Sequence, residues 1–199
     1  MISAIILAAG ESKRMGQPKM LLPWGKVSVL GHVISTFQSA GIEDIIVVTG
    51  GAHEQVEEAV KQSGARSVFN RNFANGEMLS SLQCGLEVLF REEAAPMATL
   101  IGLGDQPQIQ IGSVQLICET FRERKPKLIV PSFQRRRGHP WLVERSLWTE
   151  LFVMRSPQSL RDFLNKHVDE IHYVEVSAPS ILADLDTPED YQSSRPESA

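Results

Sequence analysis

The sequence predicts an α/β domain in three layers, a mainly parallel sheet covered on both faces by helices. Two observations carry this reading. Short apolar runs alternate along the chain with stretches of helical periodicity, the order expected when strands are joined by helices that pack back onto the sheet. The 199 residues, 42% hydrophobic and 22% charged, suffice for one substantial core and leave little for a second. The first strand is the run Ile2 to Leu7. Val29 to Ala40 carries apolar side chains at Leu30, Val33, Ile34 and Phe37, a helical stripe, and Gly41 follows where a helix C-terminus favours glycine. Ile45 to Thr49 reads as a second buried strand, His53 to Ser63 as a helix, Ser67 to Phe69 as a short strand and Met78 to Arg91 as a longer helix. Ala98 to Leu103 returns to the sheet, Ile111 to Arg124 is helical, and Leu128 to Pro131 is again a strand. Pro157 to His167 has amphipathic helical spacing, and Ile171 to Val176 alternates like a half-buried strand. Right-handed crossovers place the C-terminal ends of such strands along one sheet edge, where open α/β folds bind ligands, so Leu7, Thr49 and Leu103 should meet there. Residues 1–192 are expected to form this single domain, with no internal repeat and with 193–199 as a disordered polar tail.

A formal net charge of −4 and a pI near 5.8 give no general basic field. Nucleic acid is therefore not an expected partner, since the run Arg135, Arg136 and Arg137 is the one local patch that opposes the global sign. Cys84 and Cys118 lie far apart in helix-like stretches, without the spacing of a zinc site or a redox pair, and are expected as reduced core residues. The N-terminal apolar run is too short to span a membrane and follows no basic region, so a soluble cytoplasmic protein is expected.

The chemistry concentrates in three places. After the first strand comes LAAGESKRMGQPK, residues 7–19. Ala8, Ala9 and Gly10 are small enough for backbone N–H groups to approach an anion, while Arg14 and Lys19 supply charge that glycine cannot. A strand opening into such a loop points to phosphate binding, with a nucleoside triphosphate as the expected ligand, although an ordinary turn bearing solvated cations has the same letters. Two acidic motifs follow apolar segments: GLGDQP, with Asp105, and ADLDTP, with Asp184 and Asp186. Hard carboxylate oxygens at strand ends suit Mg²⁺ completed by substrate phosphates, which makes Asp105 and Asp186 the metal candidates. Asp-Thr-Pro-Glu-Asp is equally a helix start, and one residue can stand near a cap and face a metal. Asn75, Gly76, Ser80 and Ser81 open the third helix beside this edge, where hydroxyls and free N–H groups can read a base or ribose or simply cap the helix. Thr49, Gly50 and Gly51 are weaker candidates of the same kind. His32, His53, His167 and His172 share no spacing, and Trp24, Trp141 and Trp148 read as core or rim residues.

Taken in order, LAAGESKRMGQPK, NGEMLSSLQCGL, GDQP, RRGHPWLV and LADLDTPEDY resemble the molybdenum cofactor cytidylyltransferases, within the small single-domain nucleotidyltransferases of Rossmann-like fold. The resemblance covers nearly the whole chain and implies Mg²⁺-dependent transfer of a nucleotidyl group from CTP to a molybdopterin-type cofactor. It implies Leu7, Ala8, Ala9 and Gly10 around the nucleotide, Arg14 and Lys19 on the phosphates, and Asp105 on the metal. It also implies that His139, in Gly138-His139-Pro140, faces the acceptor and that the arginine run attracts its negative charge. A molybdenum-dependent oxidoreductase or its chaperone would receive the product. Three alternatives stay open: a guanylyltransferase of the same cofactor, a sugar-phosphate nucleotidyltransferase, and a carrier that binds the cofactor without turnover. A dinucleotide-dependent oxidoreductase is disfavoured because the first loop lacks G-x-G-x-x-G.

Overall fold

Strand β1 (Ile2–Ala8) occupies the middle of the sheet, and six of its seven residues are buried because both of its faces are covered. In a computed structural model, which describes residues 1–75 and 77–196, the chain continues from β1 through two 3₁₀ turns to a small hairpin, β2 (Pro23–Trp24) and β3 (Val27–Ser28). Then follow α1 (Val29–Ser39), β4 (Ile45–Thr49), α2 (His53–Gln62), β5 (Arg66–Phe69), α3 (Glu77–Phe90), β6 (Ala98–Leu103) and α4 (Ile111–Arg124). The second half adds β7 (Leu128–Phe133), β8 (Arg136–Arg137), β9 (Trp141–Glu144), α5 (Trp148–Val153), α6 (Leu160–Lys166), β10 (Ile171–Glu175) and α7 (Pro188–Ser194).

The large sheet has the order β10-β7-β9-β6-β1-β4-β5, with β8 attached to β7. β1 pairs in parallel with β4 and β6, β4 with β5, and β7 with β10. β9 is inserted antiparallel between β6 and β7. Alternate residues of β1 feed two cores: Ala4, Ile6 and Ala8 join α1, α2 and α4 on one face, and Ile5 and Leu7 join α3, α5 and α6 on the other. Each fully buried isoleucine here contributes roughly 1.5–3 kcal/mol over an exposed one. The first layer is tight. A Cβ on Gly102 in β6 would lie 2.7 Å from Phe37 Cζ of α1, so only glycine lets that ring sit against the strand.

The three-layer fold and the mainly parallel sheet are as the sequence predicts, and Leu7 pairs with Leu103 while Ala8 pairs with Thr49. The hairpin β2–β3, the strand β9 and the short helix α5 have no counterpart in the sequence reading. β7 runs past Pro131 to Phe133. The missing proline N–H is tolerated there because Pro131 falls between the residues paired to β9, Leu128 and Ile129, and those paired to β8, Ser132 and Phe133. α6 begins at Leu160 rather than Pro157 because Ser159 and Asp162 form a capping box, each accepting from the other's backbone N–H. Ser193 and Ser194, expected in the polar tail, are the last turn of α7, and 197–199 lie outside the described residues. No helix among the described residues is long and apolar enough to cross a membrane.

Candidate active site

The loop after β1 turns back on itself through two left-handed residues, Ser12 (φ 54°) and Gly16 (φ 66°). Between them lies a 3₁₀ turn, Lys13–Met15, anchored by Met15 in a small core with Leu22, Trp24, Val29, Leu185 and Tyr191. The Ser12 hydroxyl accepts from the Lys19 backbone N–H at 3.1 Å, which closes the loop and aims Lys19 inward. The same small core explains how the chain's far end reaches this loop. Leu185 is buried in it, the Tyr191 hydroxyl donates to the Pro23 carbonyl at 2.6 Å, and the Leu185 N–H donates to the Asp105 carbonyl at 3.0 Å. The C-terminal segment is thereby stitched to the turn after β6.

The result is a cation bracketed by carboxylates. Lys19 Nζ lies 2.5 Å from Asp105 Oδ2 and 3.4 Å from Asp186 Oδ1, and Arg14 reaches Asp186 Oδ2 at 3.0 Å. Lys19 is only 12% exposed and Arg14 68%, so the first contact is much less screened than the second. Asp186 is not the helix cap. Thr187 caps α7 in a capping box with Asp190, Pro188 opens its first turn, and the Asp186 carboxylate is left for the cations. Asp184 sits at the rim of the same cavity and accepts from the buried Gln106 amide at 2.6 Å. Partial burial raises the pKa of Asp184, and the neighbouring Asp105 and Asp186 add to that rise.

A cavity of about 380 Å³ opens here, lined by Leu7, Ala9, Gly10, Lys19, Ser81, Asp105, Asp184 and Asp186 together with Met20, Phe73, Met78 and Leu103. An adjoining one of about 220 Å³ is lined by Gly10, Ser12, Lys13, Arg14, Met15, Lys19 and Asp186. Ala8 is buried beneath the loop and does not line either. Asn70, 4% exposed, donates to the hydroxyls of both Ser80 and Ser81 at 2.9 and 3.1 Å, and of the two only Ser81 lines the cavity. Gly76 lies outside the described residues. Thr49 is fully buried, and Gly50 and Gly51 are packed against Ala9, Gly10 and Glu11, which makes them supports of the loop.

His139 lines neither cavity. Its ring stacks on Trp141 with centroids 4.6 Å apart, Nε2 is buried without a hydrogen-bond partner, and burial lowers its pKa to about 4. Arg137 is engaged by Tyr173, donating to its hydroxyl at 2.9 Å. Trp148 and Cys118 are core residues, and Trp24 belongs to the small core beneath the loop. Leu7 and Leu103, expected at this sheet edge, line the cavity; residues that sequence reasoning did not single out are Asp184 as part of the cavity, Phe73, Met78 and Met20. The helical apolar pattern at Met78 and the paired aspartates of ADLD carried a signal for two of them.

Among the described residues no three His, Cys, Asp or Glu side chains converge to hold a metal ion alone. Two carboxylates on one cavity wall do fit a hard cation whose remaining positions are filled by phosphate oxygens and water. A small-residue loop, an inward lysine with an exposed arginine beside it, and facing carboxylates at the C-terminal edge of a parallel sheet define a nucleotidyltransferase. The chain belongs to the MobA-like NTP transferase domain family, whose description matches residues 4–171. It is similar to the molybdenum cofactor cytidylyltransferase of Escherichia coli K12, 28% identical over 191 residues, 96% of this chain and 93% of the relative. It is also 24% identical to nicotine blue oxidoreductase of Paenarthrobacter nicotinovorans, over 94% of this chain and 93% of that one. Among solved structures, Rv0371c of Mycobacterium tuberculosis H37Rv in complex with manganese superposes with a TM-score of 0.78 at 25% identity, covering 96% of each chain.

Proposed function

We propose that the protein transfers the cytidylyl group of CTP to a molybdopterin-type cofactor in the presence of Mg²⁺, yielding the dinucleotide cofactor and pyrophosphate. The observation that carries the reading is Lys19, held between Asp105 and Asp186 at the mouth of the phosphate loop. An acceptor phosphate oxygen attacks the α-phosphorus, the bond from that phosphorus to the bridging oxygen breaks, and pyrophosphate leaves with the electron pair. The acceptor is already ionised, so no general base is required; two polyanions must be brought in line and their charge neutralised. Lys19 and Arg14 do this by exchanging carboxylate partners for phosphate oxygens. Asp105 and Asp186, released by that exchange, would hold Mg²⁺, which when bound neutralises and polarises phosphate oxygens. The manganese complex of Rv0371c supports a divalent cation in this fold. Leu7, Ala9 and Gly10 flank the nucleotide, with Ala8 beneath them, and Ser81, with Ser80 beside it, reads base or ribose. The resemblance would put His139 on the acceptor side, although its ring packs on Trp141 and lines neither cavity. The product would pass to a molybdenum-dependent oxidoreductase or its chaperone.

The cytidylyl assignment rests on the relative from Escherichia coli and the GHP segment. The relative named as an oxidoreductase favours a redox reading, against which the first loop lacks G-x-G-x-x-G. A pyrophosphate-release screen over the four NTPs, with molybdopterin and sugar phosphates as acceptors, separates these. CTP with molybdopterin should be preferred over GTP by at least tenfold in kcat/KM, about 1.4 kcal/mol. A GTP preference selects the guanylyl branch, a sugar phosphate the sugar branch, and no pyrophosphate with any pair leaves a carrier or redox protein.

A further inference from the structure

Phe73 carries no group for the phosphate chemistry, yet it lines the same cavity. The two adjoining cavities share Gly10, Lys19 and Asp186, which fixes a direction: the smaller is lined by Lys13, Arg14 and Lys19, and the larger extends from Lys19 to the α3 side, where Phe73 and Met78 stand. A triphosphate along the cationic loop therefore leaves its nucleoside at the Phe73 end. Met78, on the first turn of α3, is 42% exposed and lines this cavity.

Phe73 is also held in place before any ligand arrives. Its N–H donates to the Asn70 carbonyl at 3.2 Å, and the Asn70 side chain is itself buried and bonded to Ser80, Ser81 and the Asn72 N–H. The ring leans on Phe69, centroids 6.1 Å apart, and Phe69 in turn on His53 at 4.4 Å. Gly50 makes room for it, since a Cβ there would lie 2.6 Å from Phe73 Cβ and 2.4 Å from the Ala9 carbonyl. A preorganised aromatic ring and a methionine lining one cavity with Lys19, Asp105 and Asp186 suit a flat, π-bearing ligand.

We propose that Phe73 and Met78 form the jaw that grips the nucleobase, Phe73 by stacking on its face, so that these two residues set affinity for the nucleoside half while Lys19 and Arg14 set it for the phosphates. This rests on the triphosphate reading of the loop. Stacking of a base on an aromatic side chain supports at least a tenfold change in affinity, about 1.4 kcal/mol. Because every base has such a face, the jaw discriminates nucleoside from bare phosphate rather than one base from another.

The test is calorimetric titration of the whole protein, without acceptor, using CTP and inorganic tripolyphosphate as separate probes in Mg²⁺ buffer. Phe73→Ala should weaken CTP at least tenfold and leave tripolyphosphate unchanged, and Phe73→Trp should retain CTP within about threefold. Equal CTP affinity in wild type and Phe73→Ala, with tripolyphosphate bound by both, overturns the jaw and leaves the phosphate loop standing. Parallel loss of both probes in Phe73→Ala shows a general collapse of the site and also overturns it. Failure of the wild type to bind either probe overturns the triphosphate reading and the jaw with it.

Discussion

Replacing Lys19 with alanine removes the one mostly buried cation of the site, and the structure sets what that should do. Its ammonium is 2.5 Å from Asp105 and 3.4 Å from Asp186, at 12% exposure. At such distances a pair of unit charges interacts with about 5–7 kcal/mol at an effective dielectric constant of 20. In the resting protein that attraction is spent on the two carboxylates, and in the transition state it would be spent on the charge gathering on departing pyrophosphate. Only the difference between those partners counts toward rate. A loss of about 2.7 kcal/mol, on the order of 100-fold in kcat, is therefore expected of Lys19→Ala. The same change leaves Asp105 and Asp186 without Lys19, so the variant should bind a divalent cation more tightly than wild type when no nucleotide is present. Steady-state pyrophosphate release gives the first quantity, and titration of Mn²⁺ by its electron paramagnetic resonance signal gives the second. A kcat within threefold of wild type, in a protein whose urea denaturation shows it folded, would refute the role of Lys19. Unchanged Mn²⁺ affinity would refute the exchange of partners.

Other consequences follow from the same geometry. Asp105→Asn should raise the Mg²⁺ concentration needed for half-maximal turnover severalfold or more while leaving the unfolding midpoint near wild type, and an unchanged Mg²⁺ requirement removes Asp105 from metal binding. Gly50→Ala should destabilise the fold by about 1–3 kcal/mol in urea, because the new methyl meets the Ala9 carbonyl at 2.4 Å; a neutral outcome would mean the loop shifts without cost. His139 has a folded pKa near 4 against 6.5 for the free side chain, so the unfolded chain takes up a proton that the folded one refuses. Stability is thus present above 6.5 and lost as pH falls toward 4. Between pH 7 and pH 5 this group accounts for up to about 2 kcal/mol, and His139→Gln should flatten that part of the curve in urea denaturation at the two pH values.

The parallel strands were legible because burial on both faces writes itself as unbroken apolar runs, as in Ile2 to Leu7 and Ile45 to Thr49. β9 was not. It is four residues long and owes its pairing to β6 and β7, so its identity as a strand is a tertiary fact. α5, six residues, is too short to show a period, and Gln83 secures its end from α3 by donating to the carbonyls of Leu151, Phe152 and Met154. In the site, the small residues and the two cations of the first loop, Arg14 and Lys19, were visible in the letters, and the fold brings them to two adjoining cavities. That Asp186 rather than Thr187 would face the cations depended on a capping box and on Leu185 being buried, which no local pattern dictates. Asp184 reads from sequence as a bystander to Asp186, and the Gln106 contact instead brings it to the same cavity. Phe73 has no helical or strand periodicity to mark it, because its position comes from Asn70 beneath it and Gly50 beside it.

The central claim is cleavage between the α and β phosphates with the nucleotidyl group going to an acceptor, and isotopic labelling tests it most directly. CTP labelled at the α-phosphorus and CTP labelled at the γ-phosphorus should be incubated separately with the protein, Mg²⁺ and molybdopterin. The account predicts that the α label appears in the acceptor product and the γ label in pyrophosphate, in equal amounts. Release of the γ label as inorganic phosphate, or recovery of both labels in intact CTP, would contradict it.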